Sequence, residues 1–307
     1  MIGGLHMWQI IYSRMKKLAI FCLSYWTYIV WFLLYFICSF LMLSSNRFID
    51  YGEAFITCVV LYTISIAVAL TCGEFVQKLL NGVRPPETSR EKEYLLPLFE
   101  SVYEDAKALY PDLPHIKVFI IDTLSINAFA LGKHTVAITK GAIDTFSSEE
   151  LQAVIAHEFA HIYNRDTHMK MLNRVGNGLF SIYILFVDLF LKIFSLFFID
   201  LDDPDTKHTS GLFQALFLFL RFVLNLSVIV TLFAGNVLLS GNERKNELRA
   251  DKFAYIIGHG EGLINALYLL QKMSLGENMR FVERMQQDHP RVSKRIEKLE
   301  ELQEQEQ

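Results

Sequence analysis

The segment AVIAHEFAHIYNRD, Ala153 to Asp166, sets His157 and His161 four residues apart, with Glu158 directly after the first. Two imidazoles and a carboxylate at this spacing can hold and use a metal ion. On a helix of about 3.6 residues per turn, positions four apart project from one face, so the two histidines would offer nitrogen ligands to a single cation. A catalytic zinc takes three protein ligands and keeps a fourth position for water. Glu158 is placed to take a proton from that water as general base. The alternative is an amphipathic helix with two surface histidines, and a third ligand decides between them.

That ligand must come from a separate element. The segment NERKNELRADKFAY offers Glu247, with Asp251 one turn later, where a carboxylate can accept a hydrogen bond from a ligand imidazole and fix its tautomer. His168 lies too close along the motif helix to converge easily. His259 sits in the glycine-bounded GHGEG. Glu247 is preferred because it alone brings a partner for a ligand histidine.

The motif needs a helix, and the sequence supplies its start. Ser147 with Glu150 three residues later has the form of a capping box ahead of an apolar run. Upstream, Leu95, Phe99, Val102, Ala106 and Leu109 recur at helical spacing within a charged segment from about Glu87 to Tyr110, which Pro111 and Pro114 stop. IKVFIID and HTVAIT read as short strands. They are separated by TLSINAFALGK, which contains a turn-forming Gly132.

The remainder of the chain reads as membrane. Of its 307 residues, 52% are hydrophobic and mean hydropathy is positive, more apolar than a typical soluble domain. Leu18 to Leu43 and Ala54 to Gly73 are uncharged and each long enough to span a hydrocarbon core needing roughly 20 apolar residues. The first is too long for a signal-peptide core and lacks a cleavage site, so it is read as retained. All four cysteines (Cys22, Cys38, Cys58, Cys72) lie inside these stretches, where no disulfide framework would be built. Val175 to Ile199 and Leu212 to Asn242 are also apolar but carry Asp188, Lys192 and Arg221. Asp188 and Lys192 can pair at i, i+4, and Arg221 can sit at an interface. Buried or peripheral helices are the alternative for this second pair.

The expected organisation is a cytoplasmic N-terminus over 1–17, a first transmembrane hairpin over 18–73, and a first catalytic part over 84–174. A second hairpin over 175–242 and a second catalytic part over 243–307 follow. Arg14, Lys16, Lys17, Lys78, Arg84, Arg244 and Lys245 flank the polar parts, whereas DLDDPDT between the later apolar stretches is acidic, so both termini and the polar parts face the cytoplasm. A net charge of −4 and the lack of any nucleic-acid module argue against nucleic acid as a partner. Nothing in the sequence sets the oligomeric state.

HEFAH, NELRAD, INAFALG and the late HPRVSKRI, in combination with two apolar hairpins, resemble the HtpX family of membrane-bound zinc endopeptidases, which are related to the CAAX prenyl proteases. The resemblance covers nearly the whole chain. It implies a multi-pass α-helical membrane protein, with four spans, whose mainly α, zincin-like (gluzincin-type) catalytic domain carries a small β-sheet. It implies one Zn2+ per chain held by His157, His161 and Glu247, with Glu158 as base and Asp251 orienting a ligand. Asn127, Ala128 and Phe129 would form the edge that holds substrate, and an exposed edge can bind an extended peptide by main-chain hydrogen bonds. His289 and Arg295 are candidates to stabilise the oxyanion. A helix cap and a surface salt bridge are the alternative for this pair. Asp166 matches the family, with anchoring of the motif helix as its simplest role.

The resemblance also implies protein substrates, especially membrane proteins, lipid contact, quality control under stress, and a place in the bacterial cytoplasmic (inner) membrane. A prenyl-type processing protease would need a larger intramembrane chamber than four spans enclose. A non-catalytic zinc-binding scaffold would close its site with a fourth protein ligand.

Overall fold

A computed structural model describes residues 50–171, 242–276 and 292–306, with shorter runs within 26–44, 185–193 and 215–226. The chain divides into two compact units, one of residues 1–65 with 172–239, the other of residues 66–171 with 240–307.

In the first unit, α1 (Phe32–Leu41) packs on the start of α2 (Tyr51–Leu80). Ala54, Cys58 and Tyr62 recur every fourth residue and form the buried stripe. Tyr62 meets Phe32 and Phe36 edge to face, both at 5.3 Å, and its hydroxyl lies 3.0 Å from Ser39 Oγ. Phe55, Ile56, Val60 and Ile64 on the other faces of α2 are exposed. Among the described residues α2 is the one helix long and apolar enough to cross a membrane, and it runs seven residues beyond the uncharged stretch. The later apolar stretches lie largely outside the described residues. Where they are described, Arg221 donates to both Asp188 oxygens, at 2.7 and 3.1 Å. Spacing offers Asp188 the i, i+4 Lys192 and lets Arg221 sit at an interface, and the structure adds the contact between Arg221 and Asp188. The bidentate pair offers the two charges mutual neutralisation.

The second unit holds a four-stranded mixed sheet in the order β1-β2-β4-β3. β1 (Val83–Arg84) is antiparallel to β2 (Lys117–Ile121), β2 is parallel to β4 (Thr135–Thr139), and β3 (Ala128–Leu131) is antiparallel to β4. The segment TLSINAFALGK, which by composition separates two strands and by the resemblance supplies an edge at Asn127, Ala128 and Phe129, holds β3. β3 is a strand at the sheet edge, too short and too rich in alanine to show an alternating pattern.

The helices follow their local signals. α3 (Ser89–Leu109) begins at a capping box of Thr88 and Glu91 and buries Leu95, Phe99, Val102 and Ala106. Leu109, assigned to the same stripe, is exposed because it falls on the last turn, beyond the packed region. α4 (Lys140–Thr145) follows β4 directly. α5 (Ser148–Tyr163) starts at the predicted box, with Ser147 accepting from Glu150 N–H and Glu150 reaching back to Ser147. Phe159 of α5 meets Phe99 of α3 edge to face at 5.1 Å. α6 comprises residues 166–171 and α7 residues 242–254. α7 leads through one π-turn, Tyr255–His259, with Gly258 at φ 92°, into α8 (Gly260–Gly276). α9 is Val292–Glu306. A continuous apolar core joins α3, the sheet, α5, α7, α8 and α9.

Candidate metal centre

His157, Glu158 and His161 are all buried on α5. Because Glu247 and Asp251 are four apart on α7, they share a face, and an aromatic group presses that helix against the end of α5. Tyr110 stacks on Phe253 at 4.5 Å, and Tyr163, which the sequence left unassigned, lies 4.9 Å from Tyr110.

Three side chains converge. His157 Nε2 and His161 Nε2 are 3.3 Å apart, His157 Nε2 is 3.3 Å from Glu247 Oε2, and His161 Nε2 is 3.5 Å from Glu247 Oε1. The opposite ring nitrogens settle the tautomers. His157 Nδ1 lies 3.0 Å from Asp251 Oδ1, and His161 Nδ1 lies 3.0 Å from Asp166 Oδ2. A carboxylate only accepts, so both Nδ1 atoms carry protons, and the two Nε2 atoms, turned to the Glu247 carboxylate, are where a metal ion or a further proton would sit. Acceptors gathered this closely call for a cation. A tetrahedral zinc with bonds of about 2.0–2.2 Å separates its ligands by about 3.3–3.5 Å, which these distances match.

The electrostatics give the same answer. Burial and the nearby Arg295 both oppose a charged His157, yet the Asp251 and Glu247 carboxylates outweigh them and raise its pKa to about 9. The site therefore favours positive charge, supplied by a proton when by nothing else.

Each imidazole has its own carboxylate and guanidinium. Asp251 takes Arg295 Nε at 2.8 Å and Nη2 at 2.5 Å, a bidentate pair reached from α9. Arg295 Nη2 is also 3.4 Å from His157 Nδ1, but that nitrogen is a donor to the nearer Asp251, so we read this as a contact and not a bond. Burial alone would push the Asp251 carboxyl up, and Arg295 and His157 instead hold it below its ordinary range. On the other side, Asp166 accepts Arg249 Nη2 at 3.0 Å, and Arg249 also donates to Asn246 Oδ1 at 2.8 Å. Asp166 gets there because Arg165 adopts φ 63°, turning the chain back at the end of α5. From sequence Asp166 read as an anchor of the motif helix. The signal for its contact with His161 was the NRD turn itself.

Glu158 lies beside the two histidines and accepts Ala130 N–H through Oε2 at 2.8 Å. Thr139 N–H donates to Asn127 O, which fixes the alternation of the β3–β4 ladder. Phe129 and Leu131 therefore face β4 with their backbone groups, while Ala128 and Ala130 turn theirs to the open edge. Of the three residues named from sequence, only Ala128 offers its backbone there, and Ala130 was missed. Arg295 has two of its nitrogens on Asp251, with Nη1 3.5 Å from Glu247 Oε2. His289 lies outside the described residues.

The sequence profile of peptidase family M48 matches residues 89–303. The chain is 34% identical over 159 residues to a Protease HtpX homolog of Dictyoglomus turgidum, covering 50% of this chain and 49% of that one. It thus spans about half the length of that relative. It is 30% identical over 217 residues to Protease HtpX homolog 2 of Methanosarcina mazei, covering 62% and 68%. Protease HtpX of Pseudomonas aeruginosa is 29% identical over 245 residues, covering 75% and 76%. In fold the chain is similar to the crystal structure of Ste24p from S. mikatae, with a TM-score of 0.50 and 20% identity over 94% of this chain and 66% of that one.

Proposed function

The chain belongs to peptidase family M48, and from that premise we propose that it is a zinc-dependent endopeptidase of a membrane that cuts misfolded or damaged membrane proteins. The observation that carries the reading is the convergence of His157 Nε2, His161 Nε2 and the Glu247 carboxylate at 3.3–3.5 Å. In this reading those three side chains hold one zinc per chain. Two imidazoles and one carboxylate are the protein ligand set of a catalytic zinc, which would supply polarisation of a carbonyl and acidity to water.

The chain's own residues do the rest. Glu158, held by the bond that its Oε2 accepts from Ala130 N–H, takes the proton of the attacking water and returns it to the leaving amine. An extended segment of substrate adds along the open edge of β3, pairing with Ala128, flanked by Asn127 and Phe129. Asp251 and Asp166 hold the ligand rings in the tautomer that leaves Nε2 free to bind. Arg295 holds Asp251, and its Nη1, 3.5 Å from Glu247 Oε2, is the group that would steady charge on the peptide oxygen.

The exposed apolar side chains along α2 suit lipid, and intramembrane pairing of Asp188 with Arg221 removes much of the cost of burying either charge. With Lys and Arg gathered at the polar ends, the reading is a multi-pass protein of the bacterial inner membrane with residues 84–174 and 243–307 in the cytoplasm. A cysteine introduced at Asp203 should then be labelled by an impermeant reagent from outside. Protection until the membrane is opened would leave only the first hairpin spanning.

The direct test is to purify the protein in detergent, measure its metal, and follow degradation of unfolded casein. One zinc per chain and cleavage abolished by chelator are expected. Cleavage that survives chelation, or no cleavage by zinc-loaded protein, would sink the reading.

A further inference from the structure

The turn between β3 and β4 is gripped from two sides by residues that do not touch the metal-binding atoms. From α2, the Glu74 carboxylate accepts Thr135 Oγ1 at 2.6 Å and Lys133 N–H at 3.0 Å. Lys78, one turn further along α2, lies 3.2 Å from Glu74 Oε1 and 4.2 Å above the Phe119 ring of β2. From α6, Thr167 Oγ1 donates to Gly132 O at 2.6 Å.

Gly132 lies between the two grips at φ +56°, and a Cβ there would come within 2.3 Å of Glu74 Oε2. The carboxylate fills the space that any other side chain would need, and the left-handed turn excludes most of them on conformation alone.

These contacts matter because β3 is four residues long and is paired in the sheet on one side only. On its open side Ala130 N–H donates to Glu158. A strand so lightly held takes its position from its ends. One end is the turn that Glu74 and Thr167 hold, and Thr167 follows directly on Asp166, the partner of His161. Bonds to a carboxylate are about twice as strong as neutral ones, so Glu74 is the stronger grip.

We propose that Glu74 is a positioning residue for peptide binding. With Thr167 it clamps the β3–β4 turn and so sets the backbone of Ala128 at a fixed distance from His157 and His161. The proposal rests on the reading of β3 as the strand that receives substrate. Glu74 directly follows the uncharged stretch that ends at Gly73, so the clamp ties the edge strand to the helix proposed to leave the membrane there.

The test compares full-length parent, Glu74→Ala and Glu74→Gln in detergent. It follows casein cleavage, zinc content and amide hydrogen exchange over residues 128–135. Glu74→Ala should raise KM about tenfold, the scale of one lost bond to a charged group. Its kcat and zinc content should stay close to the parent's, and exchange at Lys133 should accelerate. Glu74→Gln keeps an oxygen for Lys133 N–H, and the Thr135 hydroxyl can turn to accept from its amide, so it should recover most of the parental KM. It also tests the idea if the alanine variant does not fold. Unchanged KM in both variants, loss through kcat alone, or loss of zinc would overturn the proposal. Should the parent itself not cleave casein, the peptidase reading fails separately, and exchange at Lys133 then judges the clamp: acceleration in Glu74→Ala upholds it, and no change overturns it.

Discussion

His157 and His161, the two histidines proposed as metal ligands, are held by the same kind of chemistry assembled in different ways. His157 gives its Nδ1 proton to Asp251, from a helix far along the chain, and Asp251 is in turn gripped through two bonds by Arg295, itself 44 residues later. That guanidinium is buried, with 8% of its side chain exposed. His161 gives its proton to Asp166, five residues away on the next turn of chain, and the cation behind Asp166 is Arg249, 40% exposed. One branch is long-range and dry, the other local at the carboxylate and open to water behind it. A buried pair broken on one side leaves a charge that nothing solvates, whereas an exposed arginine turns to solvent. The arrangement therefore makes the His157 branch the more important for folding, and both branches comparable for metal binding.

The largest expected effect lies in neither branch. Glu158→Gln keeps shape but loses the carboxylate proposed as base, so turnover should fall by about 10²- to 10⁴-fold with zinc content unchanged. A variant that also lost zinc would place Glu158 among the metal supports and dissolve the distinction between base and branch.

Next come the two carboxylates, best measured side by side. Asp251→Ala and Asp166→Ala should each weaken metal affinity by about 10- to 100-fold, the usual cost of an orienting partner. Only Asp251→Ala should add a large folding loss, about 3–5 kcal/mol, because Arg295 is left buried without its carboxylate. Denaturant unfolding of the metal-free variants would decide it, and equal losses would break the comparison.

The smallest effect is a pH slope in protein stripped of metal. Burial and Arg295 lower the His157 pKa, but its carboxylate neighbours raise the net value to about 9, above the ordinary 6.5. A folded-state pKa above the unfolded one means that the stabilisation is complete below about pH 6.5 and is lost as pH rises through about 9. Stripped protein should lose stability across that window, and less steeply in Asp251→Ala. A flat profile in the parent would mean that His157 does not carry the site's charge.

What the sequence determined by itself was everything set by neighbours three or four residues apart. Ser147 and Glu150 closed their capping box, Leu95 through Ala106 made the buried stripe of α3, and His157 and His161 shared a face because helix geometry leaves no alternative. Pairs of this range depend only on local backbone, so spacing states them directly. Glu247 with Asp251 belongs to the same class, since their mutual placement is again a single turn. What the tertiary structure decided was which charge meets which across the fold. Arg295 read equally well as an oxyanion donor or a surface bridge until α9 placed it on Asp251. Asp166 read as an anchor until the left-handed Arg165 swung it onto His161. The open edge of β3 followed from the register of a ladder, and register is fixed by pairing between strands, not by the composition of either one. Glu74 carried no signal at all, because a lone carboxylate at the end of an apolar helix acquires meaning only when a turn nearly sixty residues later presents an N–H and a hydroxyl to it.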